Sequence, residues 1–218
     1  YREALVVGDY ALAGRAADVL AGSETAPADV ALFQLIRAIA SNDRRSIDAY
    51  LELVGRGPFE FMVPSMRAWI ALEHGQDPLP LLAPEGASQL SQRFSAEQRA
   101  LILLEMGRTD EGLDQARQLA TKGELVQELR NDAALILARQ GRWDLADAVL
   151  GGQGPSRAAL RQLLRRQRAA GARLGISRMF VRLAFDLTHE EPGPLSVVVS
   201  RVSLMLDPME DRARLYLA

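Results

Sequence analysis

The side chains that most often carry catalytic chemistry are scarce in this 218-residue sequence, which has two histidines and no cysteine. His74 falls near the end of a helical pattern, and His189 is followed by two glutamates and then Pro192. That order differs from the His-Glu-x-x-His pattern, in which two histidines one helical turn apart bind zinc. The glycine-rich phosphate loop and the Gly-x-Ser-x-Gly nucleophile turn do not occur either. The sequence therefore predicts no catalytic residue, no metal site, no cofactor and a non-enzymatic role.

Arginine dominates the basic residues. The sequence has 26 basic and 28 acidic residues, for a net charge of −2, and Lys122 is its single lysine. No acidic residue occurs between Asp147 and Asp186. A helix is predicted from residue 156 to 170, and arginines spaced by four, four and three residues share one face of it. We refer to these four residues as the basic face: Arg157, Arg161, Arg165 and Arg168.

The basic face has two interpretations. It is either a solvated helix surface that pairs with acidic residues of neighbouring helices, or a binding surface for an acidic peptide, an anionic lipid or nucleic acid. Nucleic acid ranks last among these partners, because only Phe180 and Phe185 lie nearby to stack on bases. The near-neutral net charge also gives no reason to expect it.

The helices that would carry these residues repeat along the chain. Residues 99–116 and 133–150 share an apolar helical stripe, then a Gly-Arg turn, then a second helix. Gly107 and Gly141, which end the first helix of each copy, lie 34 residues apart. A small residue follows each glycine by five positions, Gly112 or Ala146, which predicts close packing of the two helices. Ala100 and Ala134 precede the glycines by seven positions and support the same prediction.

The same register predicts turns along the whole chain. Gly8 opens a turn with the same spacing, and Asn42 stands at a turn position because asparagine tolerates the left-handed conformation. The intervals between turns average about 33 residues, a period typical of stacked helical repeats. The predicted turn positions are 8, 42, 75, 107, 141, 171 and 207.

These turns resemble those of the tetratricopeptide repeat (TPR) family, whose period is 34 residues. The resemblance covers nearly the whole chain, but its best signatures are three: 8–10, 107–109 and 141–143. Ala96 and Arg130 stand where the family favours a large residue near the start of the first helix, so repeat geometry is expected to vary. The resemblance implies an all-α fold, a right-handed superhelix of antiparallel helical hairpins whose first helices line a concave groove.

The resemblance also implies which residues face that groove and bind a protein or peptide. A register error of one position would exchange groove and core, and Trp69 and Phe94 also suit a core. The eight implied groove residues are Trp69, Phe94, Glu97, Leu101, Glu105, Asn131, Leu135 and Arg139.

The domain prediction is one repeat array over residues 1–218, interrupted by an irregular proline-rich break at 77–94. Three prolines between Asp77 and Pro84 predict one short helical turn and a loop through residues 86–92. A capping box at 95–98 is expected to open the next helix. The β-branched run 197–199 suits a strand alone, but with no partner strand it is interpreted as buried helix.

The first residue is Tyr1 rather than Met, and the chain is interpreted as a fragment of a longer protein. No apolar run reaches the roughly 18 residues of a membrane-spanning helix, so a soluble protein is expected. The compartment, cytoplasmic or periplasmic, stays open, as does the oligomeric state.

The function predicted first is a non-enzymatic scaffold that binds a protein or peptide in the groove of the superhelix. One alternative is an accessory superhelical region of a larger enzyme whose catalytic domain lies outside this sequence. The other is an adaptor that binds an acidic partner or an anionic surface through the basic face.

Overall fold

A computed structural model describes residues 1–23, 26–82, 86–121, 126–190 and 193–217. Its secondary structure is 77% helix, and no strand occurs in these ranges. The all-α prediction is therefore confirmed, and the β-branched run 197–199 lies in a helix as predicted. The right-handed superhelical arrangement stays a prediction.

The described ranges contain thirteen α-helices and two short 3-10 turns, the latter at Glu60–Met62 and Leu79–Leu81. In chain order the helices are α1 Arg2–Val7, α2 Tyr10–Ala21, α3 Ala28–Ser41, α4 Arg44–Val54, α5 Val63–Glu73, α6 Gln89–Glu105, α7 Thr109–Thr121, α8 Gln127–Arg139, α9 Trp143–Leu150, α10 Arg157–Arg166, α11 Gly171–Glu190, α12 Pro194–Leu206 and α13 Asp211–Leu215.

Five of the predicted turns share one backbone geometry. Gly8, Asn42, Gly75, Gly107 and Gly141 all have a positive φ, between 57° and 81°. At each of them the next amide donates to the carbonyl five residues back, as in the bond of 2.9 Å between residues 108 and 103. This is the Schellman end of a helix, which needs a left-handed residue and so favours glycine or asparagine. Positions 8, 42, 75, 107 and 141 are therefore confirmed as turns.

The prediction around residue 171 is partly wrong. Helix α10 ends at Arg166, capped by Gln167 with ψ 126°, and residues 167–170 are not helical. Gly171 has φ 55° but is the first residue of α11 rather than the end of a helix. No glycine or proline between 157 and 170 marks this stop, so local sequence could not predict it. At position 207 helix α12 ends as predicted, with Asp207 in an extended conformation instead of a left-handed one.

The proline-rich break also differs in extent. Its single short helical turn is the 3-10 turn at Leu79–Leu81, as predicted, and residues 83–85 lie outside the described ranges. Helix α6 begins at Gln89, within the predicted loop, and not near the capping box at 95–98. The physical reason is a different cap: Ser88 Oγ accepts the amide of Ser91 at 3.3 Å. Phe94 is fully buried within this early part of α6.

The packing divides the chain into two compact units, where the sequence predicted one array. Unit 1 comprises Tyr1–Val63 and Arg168–Ala218, and unit 2 comprises Pro64–Gln167.

Unit 1 joins the two ends of the chain. Besides the hairpins α1–α2 and α3–α4, helix α12 packs against α1 and α3, and α11 packs against α12. Tyr10 Oη donates to the carbonyl of Arg201 at 3.3 Å, and Arg201 Nη2 donates to the carbonyl of Val6 at 2.5 Å. Repeats in a solenoid contact only their neighbours along the chain. Neighbour stacking alone does not describe unit 1, because these contacts span more than 190 residues.

Unit 2 stacks hairpins that are neighbours in sequence. Helix α6 pairs with α7, α8 pairs with α9, and α8 packs on α6 and on α10. Gly112 makes the close approach that the sequence predicted, since a Cβ there would lie 2.8 Å from Leu104 Cγ and 3.1 Å from the Ala100 carbonyl. The small residues of the second copy, Ala134 and Ala146, are fully buried.

Candidate functional site

The groove residues implied by the family resemblance lie in unit 2, on α5, α6 and α8. Most of them form part of its core: Trp69, Phe94, Glu97, Leu101 and Leu135 are all buried. Trp69 Nε1 donates to Gln98 Oε1 at 2.9 Å, which satisfies the indole nitrogen inside the protein. Glu97 forms an ion pair with Arg93, at 3.4 Å. These five side chains are not available to a partner at the surface.

The other three implied groove residues remain accessible. Arg139 of α8 forms an ion pair with Glu105 of α6, which lies 34 residues earlier. Gln140 Nε2 also donates to the Leu104 carbonyl, at 2.6 Å, across the same α6–α8 contact. Asn131 Oδ1 accepts from Gln127 Nε2 at 3.0 Å. Use of these three residues by a partner stays a prediction.

The basic face splits into residues with different roles. Arg157 bonds to both Asp144 and Asp147 of α9, at 2.6 Å each. These bonds raise the pKa of Arg157, which keeps its positive charge. The guanidinium of Arg161 lies 4.9 Å from the ring centre of Trp143, a cation–π distance. Both arginines therefore contact α9, and Arg157 pairs with acidic residues as the solvated-face interpretation expects.

The remaining two residues of the basic face do not lie on a common helix. Arg165 is exposed on α10, whereas Arg168 follows the end of α10 and belongs to unit 1. The prediction that four arginines share one helix face is therefore wrong for Arg168. The reason is the early end of α10, which breaks the helical spacing on which the prediction rested.

Further along the same stretch, arginines are buried rather than exposed. Arg178 and Arg182 on α11 are 5% and 2% exposed, and Arg182 forms an ion pair with Asp186. Burial would raise the pKa of Glu210, but the charge of Arg212 and its hydrogen bonds hold that pKa below its usual range. Burial raises the pKa of Asp207, the acidic residue that follows α12. This segment belongs to the core of unit 1.

Unit 1 contains an open cleft that the sequence did not indicate. Its volume is about 520 Å³, and it lies where α2, α3 and α4 meet, with one residue of α12 at its margin. We refer to it as the α3 cleft. Most of the residues that line it have polar side chains: Asp18, Gln34, Arg37, Ala38, Ala40, Ser41, Asp43, Ser46, Tyr50 and Met205.

A hydrogen-bond network holds one wall of the α3 cleft in position. Arg37 Nη1 donates to Asp18 Oδ1 at 2.6 Å and to Gln34 Oε1 at 2.8 Å. Gln34, which is buried, donates through Nε2 to the same Asp18 oxygen at 2.8 Å. The bonds from Gln34 and Arg37 lower the pKa of Asp18, so its carboxylate stays ionised at neutral pH. Gly14 gives the guanidinium room, because a Cβ there would lie 3.4 Å from Arg37 Cζ.

The opposite wall is the turn between α3 and α4. Asn42 ends α3, and the next residue, Asp43, caps α4 by accepting the Ser46 amide at 3.3 Å. Ser46 Oγ donates to Asp43 Oδ2 at 2.6 Å. The bonds from Ser46 lower the pKa of Asp43, which is therefore also ionised at neutral pH. Tyr50, one and a half turns into α4, is half-buried beside them.

Unit 2 contains a smaller and more apolar groove of about 220 Å³ between α7, α8 and α9. Its walls include Leu113 and Val149, and Arg130 donates to the Val149 carbonyl at 3.1 Å. The polar α3 cleft offers many more groups that could orient a ligand.

Within the described residues, no three histidine or acidic side chains converge as metal ligands would. None of the helices described is both long and apolar enough to cross a bilayer. Comparison of the chain with models of known families, with curated proteins and with solved structures finds no match.

Proposed function

We propose that this chain is a TPR-like helical repeat protein that binds a peptide segment of a partner protein and catalyses no reaction. We propose further that the α3 cleft is where the peptide binds. The repeat assignment is supported by the left-handed turns at residues 8, 42, 75, 107 and 141, whose spacing is close to the 34-residue period of that family.

The observation that carries the proposal is the organisation of the α3 cleft. Its volume lies within the range of about 300–1,000 Å³ that ligand sites occupy. Its polar side chains already hold one another in place, through Asp18, Gln34 and Arg37 on one wall and Asp43 and Ser46 on the other. A ligand therefore meets groups whose positions are set before it binds, which reduces the entropy lost on binding.

A peptide fits this cleft better than an apolar small molecule does. Peptide groups need both donors and acceptors, and the cleft offers the guanidinium of Arg37, the hydroxyl of Tyr50 and the carboxylates of Asp18 and Asp43. Its lining also includes apolar surface from Ala38, Ala40 and Met205, against which the apolar part of a peptide side chain can pack. The groove that the resemblance implied on α6 and α8 offers less, because five of its eight residues are buried.

The experiment is a selection of peptides from a displayed library of random dodecapeptides on the immobilised chain, followed by affinity measurement by fluorescence polarisation. The test variant is Ser41→Trp, which places a large side chain at the mouth of the cleft. Ser41 is exposed at the last position of α3, and its hydroxyl only donates to carbonyls of its own helix. The change should therefore fill the cleft without disturbing the core.

Thr121→Trp is the matched control. Thr121 is likewise the last residue of an exposed helix end, on α7, and its hydroxyl donates to the carbonyls of Arg117 and Gln118. Selected peptides should lose at least tenfold in affinity with Ser41→Trp and keep their affinity with Thr121→Trp. Peptides that bind Ser41→Trp as tightly as the parent chain would place binding outside the α3 cleft and end the proposal.

A further inference from the structure

The α3 cleft is rich in atoms that can only accept hydrogen bonds. Ser41 Oγ donates its proton to the Arg37 carbonyl at 2.9 Å, and Ser46 Oγ donates its proton to Asp43 Oδ2 at 2.6 Å. Each hydroxyl has one proton, so both oxygens have only lone pairs left for a ligand. Two of the apparent donors in the cleft therefore act as acceptors.

The two carboxylates add further acceptors. Both recorded bonds to Asp18 reach Oδ1, so its Oδ2 is available in the described structure. Asp43 is exposed, and each of its oxygens accepts one bond from Ser46 while it can accept more. An ionised carboxylate never donates, so a ligand group facing these residues must supply the protons.

The end of α3 acts in the same direction. Ala38, Ala40 and Ser41 line the cleft and belong to the last turn of this 14-residue helix. The carbonyl end of a helix carries a partial negative charge that favours a cation. The last turn of α3 contains no basic residue, and its carbonyls accept the amides of Asn42 and Asp43.

Among the residues that line the cleft, Asp18 and Asp43 carry negative charges and Arg37 carries the one positive charge. Arg37 pairs with Asp18 at 2.6 Å, whereas Asp43 caps the positive end of α4. The carboxylates therefore outnumber the guanidinium. An acidic group would meet two carboxylates and two hydroxyl oxygens without protons to offer, and its donors would be Arg37, Gln34 and Tyr50, of which the first two already donate to Asp18.

We infer that the residue that a bound peptide inserts into the α3 cleft is a lysine or arginine, whose charged end donates to Asp43 and to the hydroxyl oxygens of Ser41 and Ser46. This inference rests on the proposed function and names the chemistry of the ligand. An ammonium or guanidinium group only donates, so it satisfies acceptors that no acidic or apolar side chain could satisfy. It also complements the partial negative charge at the carbonyl end of α3.

The deciding variant is Asp43→Asn, measured with peptides from the same selection. Asparagine caps a helix about as well as aspartate, so α4 should keep its start while the cleft loses one negative charge. Asp9→Asn is the matched control, because Asp9 caps α2 by accepting the Leu12 amide at 2.9 Å and does not line the cleft. Asp9 and Asp43 occupy the same position in hairpins 34 residues apart.

The expected result has three parts. Selected peptides should share a basic residue, and replacing that residue by glutamine should weaken binding about tenfold. Asp43→Asn should weaken binding by a similar factor and Asp9→Asn by less than twofold. When the glutamine peptide is measured with Asp43→Asn, the total loss of binding free energy should be smaller than the sum of the two separate losses. Affinity for the parent chain should also fall as salt rises, because the charges are exposed to solvent.

The outcomes separate this inference from the proposed function. Two results would overturn the inference and leave the cleft as a peptide site. Peptides that lose affinity with Ser41→Trp could carry acidic residues, or their affinity could be unchanged by Asp43→Asn. Peptides whose affinity is unchanged by Ser41→Trp would overturn both the inference and the proposed peptide site.

Discussion

Units 1 and 2 are both helical, but the contacts inside each unit are of different kinds. In unit 2 the contacts run within one helical hairpin, as in the approach of Gly112 to Ala100, or between hairpins that are neighbours in sequence, as in the ion pair of Glu105 with Arg139. In unit 1 the decisive contacts join opposite ends of the chain, as in the bond from Arg201 to the Val6 carbonyl. A repeat period predicts contacts between helices that are neighbours in sequence. It carries no information on contacts between the two ends of the chain.

Both units bury polar groups that bond to one another. In unit 1, Ser177 and Ser203 lie 2.9 Å apart through their hydroxyls, and Arg173 donates to the Leu206 carbonyl at 3.2 Å, which links α11 to α12. In unit 2, Trp69 Nε1 donates to Gln98 Oε1 at 2.9 Å. A buried polar group that loses its partner is costly. We therefore expect a buried polar pair to contribute more to stability than an exposed one.

The largest effect is expected from Arg212→Met in unit 1. Arg212 pairs with the carboxylate of Glu210 at 2.9 Å, and both side chains are largely buried. Removing one partner of such a pair leaves the other charge without compensation and should lower the free energy of unfolding by about 3 kcal/mol at pH 7. Urea unfolding of both proteins measures the difference.

The stability difference between this variant and the parent should depend on pH through Glu210. The pKa of Glu210 is lowered in the folded protein, so its contribution to stability is present above the unfolded value of about 4.3 and is lost as pH falls through the folded value. Without Arg212, burial should raise the pKa of Glu210 above the unfolded value instead. The difference should therefore begin to narrow above about pH 4.3, where the variant takes up its proton, and go on narrowing as pH falls through the lowered pKa of the parent.

Arg214→Met is the control on the same helix. Arg214 pairs with Asp211 at 2.7 Å, but both side chains are more than 40% exposed, so the loss should stay within about 1 kcal/mol. Equal losses from the two variants would mean that burial does not strengthen the pair of Arg212 with Glu210.

The next effect concerns the close contact between α6 and α7 in unit 2. Gly112→Val should lower the free energy of unfolding by about 2 kcal/mol, because the added side chain meets Leu104 and the Ala100 carbonyl. Ala120→Val, on an exposed position of the same helix, has the same β-branched side chain and should cost less than about 1 kcal/mol. A Gly112→Val protein as stable as its control would show that α6 and α7 do not approach closely here.

A smaller effect compares turns of the two units. Gly141 in unit 2 has φ 77°, and nothing lies within 4 Å of a Cβ added there, so Gly141→Val tests backbone strain alone. It should cost about 1.5 kcal/mol. Gly141→Asn should cost clearly less, because Asn42 holds the equivalent turn of unit 1 with φ 57°. A lower melting temperature for Gly141→Asn than for Gly141→Val would contradict a left-handed turn shared by the two positions.

The smallest effect is expected from replacing Arg157, Arg161 and Arg165 together by glutamine. The unfolding midpoint should fall slightly, because the bonds of Arg157 to Asp144 and Asp147 are lost. The fall should disappear in about 1 M salt, where exposed charges are screened within about 3 Å. Arg165→Gln alone should leave the midpoint unchanged. Weaker peptide binding by the triple variant would instead support the basic face as a partner surface.

The α3 cleft shows why a site can escape a sequence pattern. The turn at Asn42 and Asp43 follows from the repeat register, which also marks Asp9 as its counterpart. Asp18, Gln34 and Arg37 occur in different helices, and nothing in their spacing indicates that they meet. Their contact depends on how α2 packs against α3, which is a matter of three-dimensional arrangement.

The sequence by itself determined the helices of this protein, most of its turns and the close approach at Gly112. These features are local: a left-handed turn needs glycine or asparagine, and a close helix crossing needs a missing side chain. Only the tertiary structure decided that Trp69 and Phe94 are core, that α10 stops at Arg166 and that α12 packs against α1 and α3. Such features depend on contacts between residues far apart in sequence, and these contacts do not produce a periodic pattern along the chain.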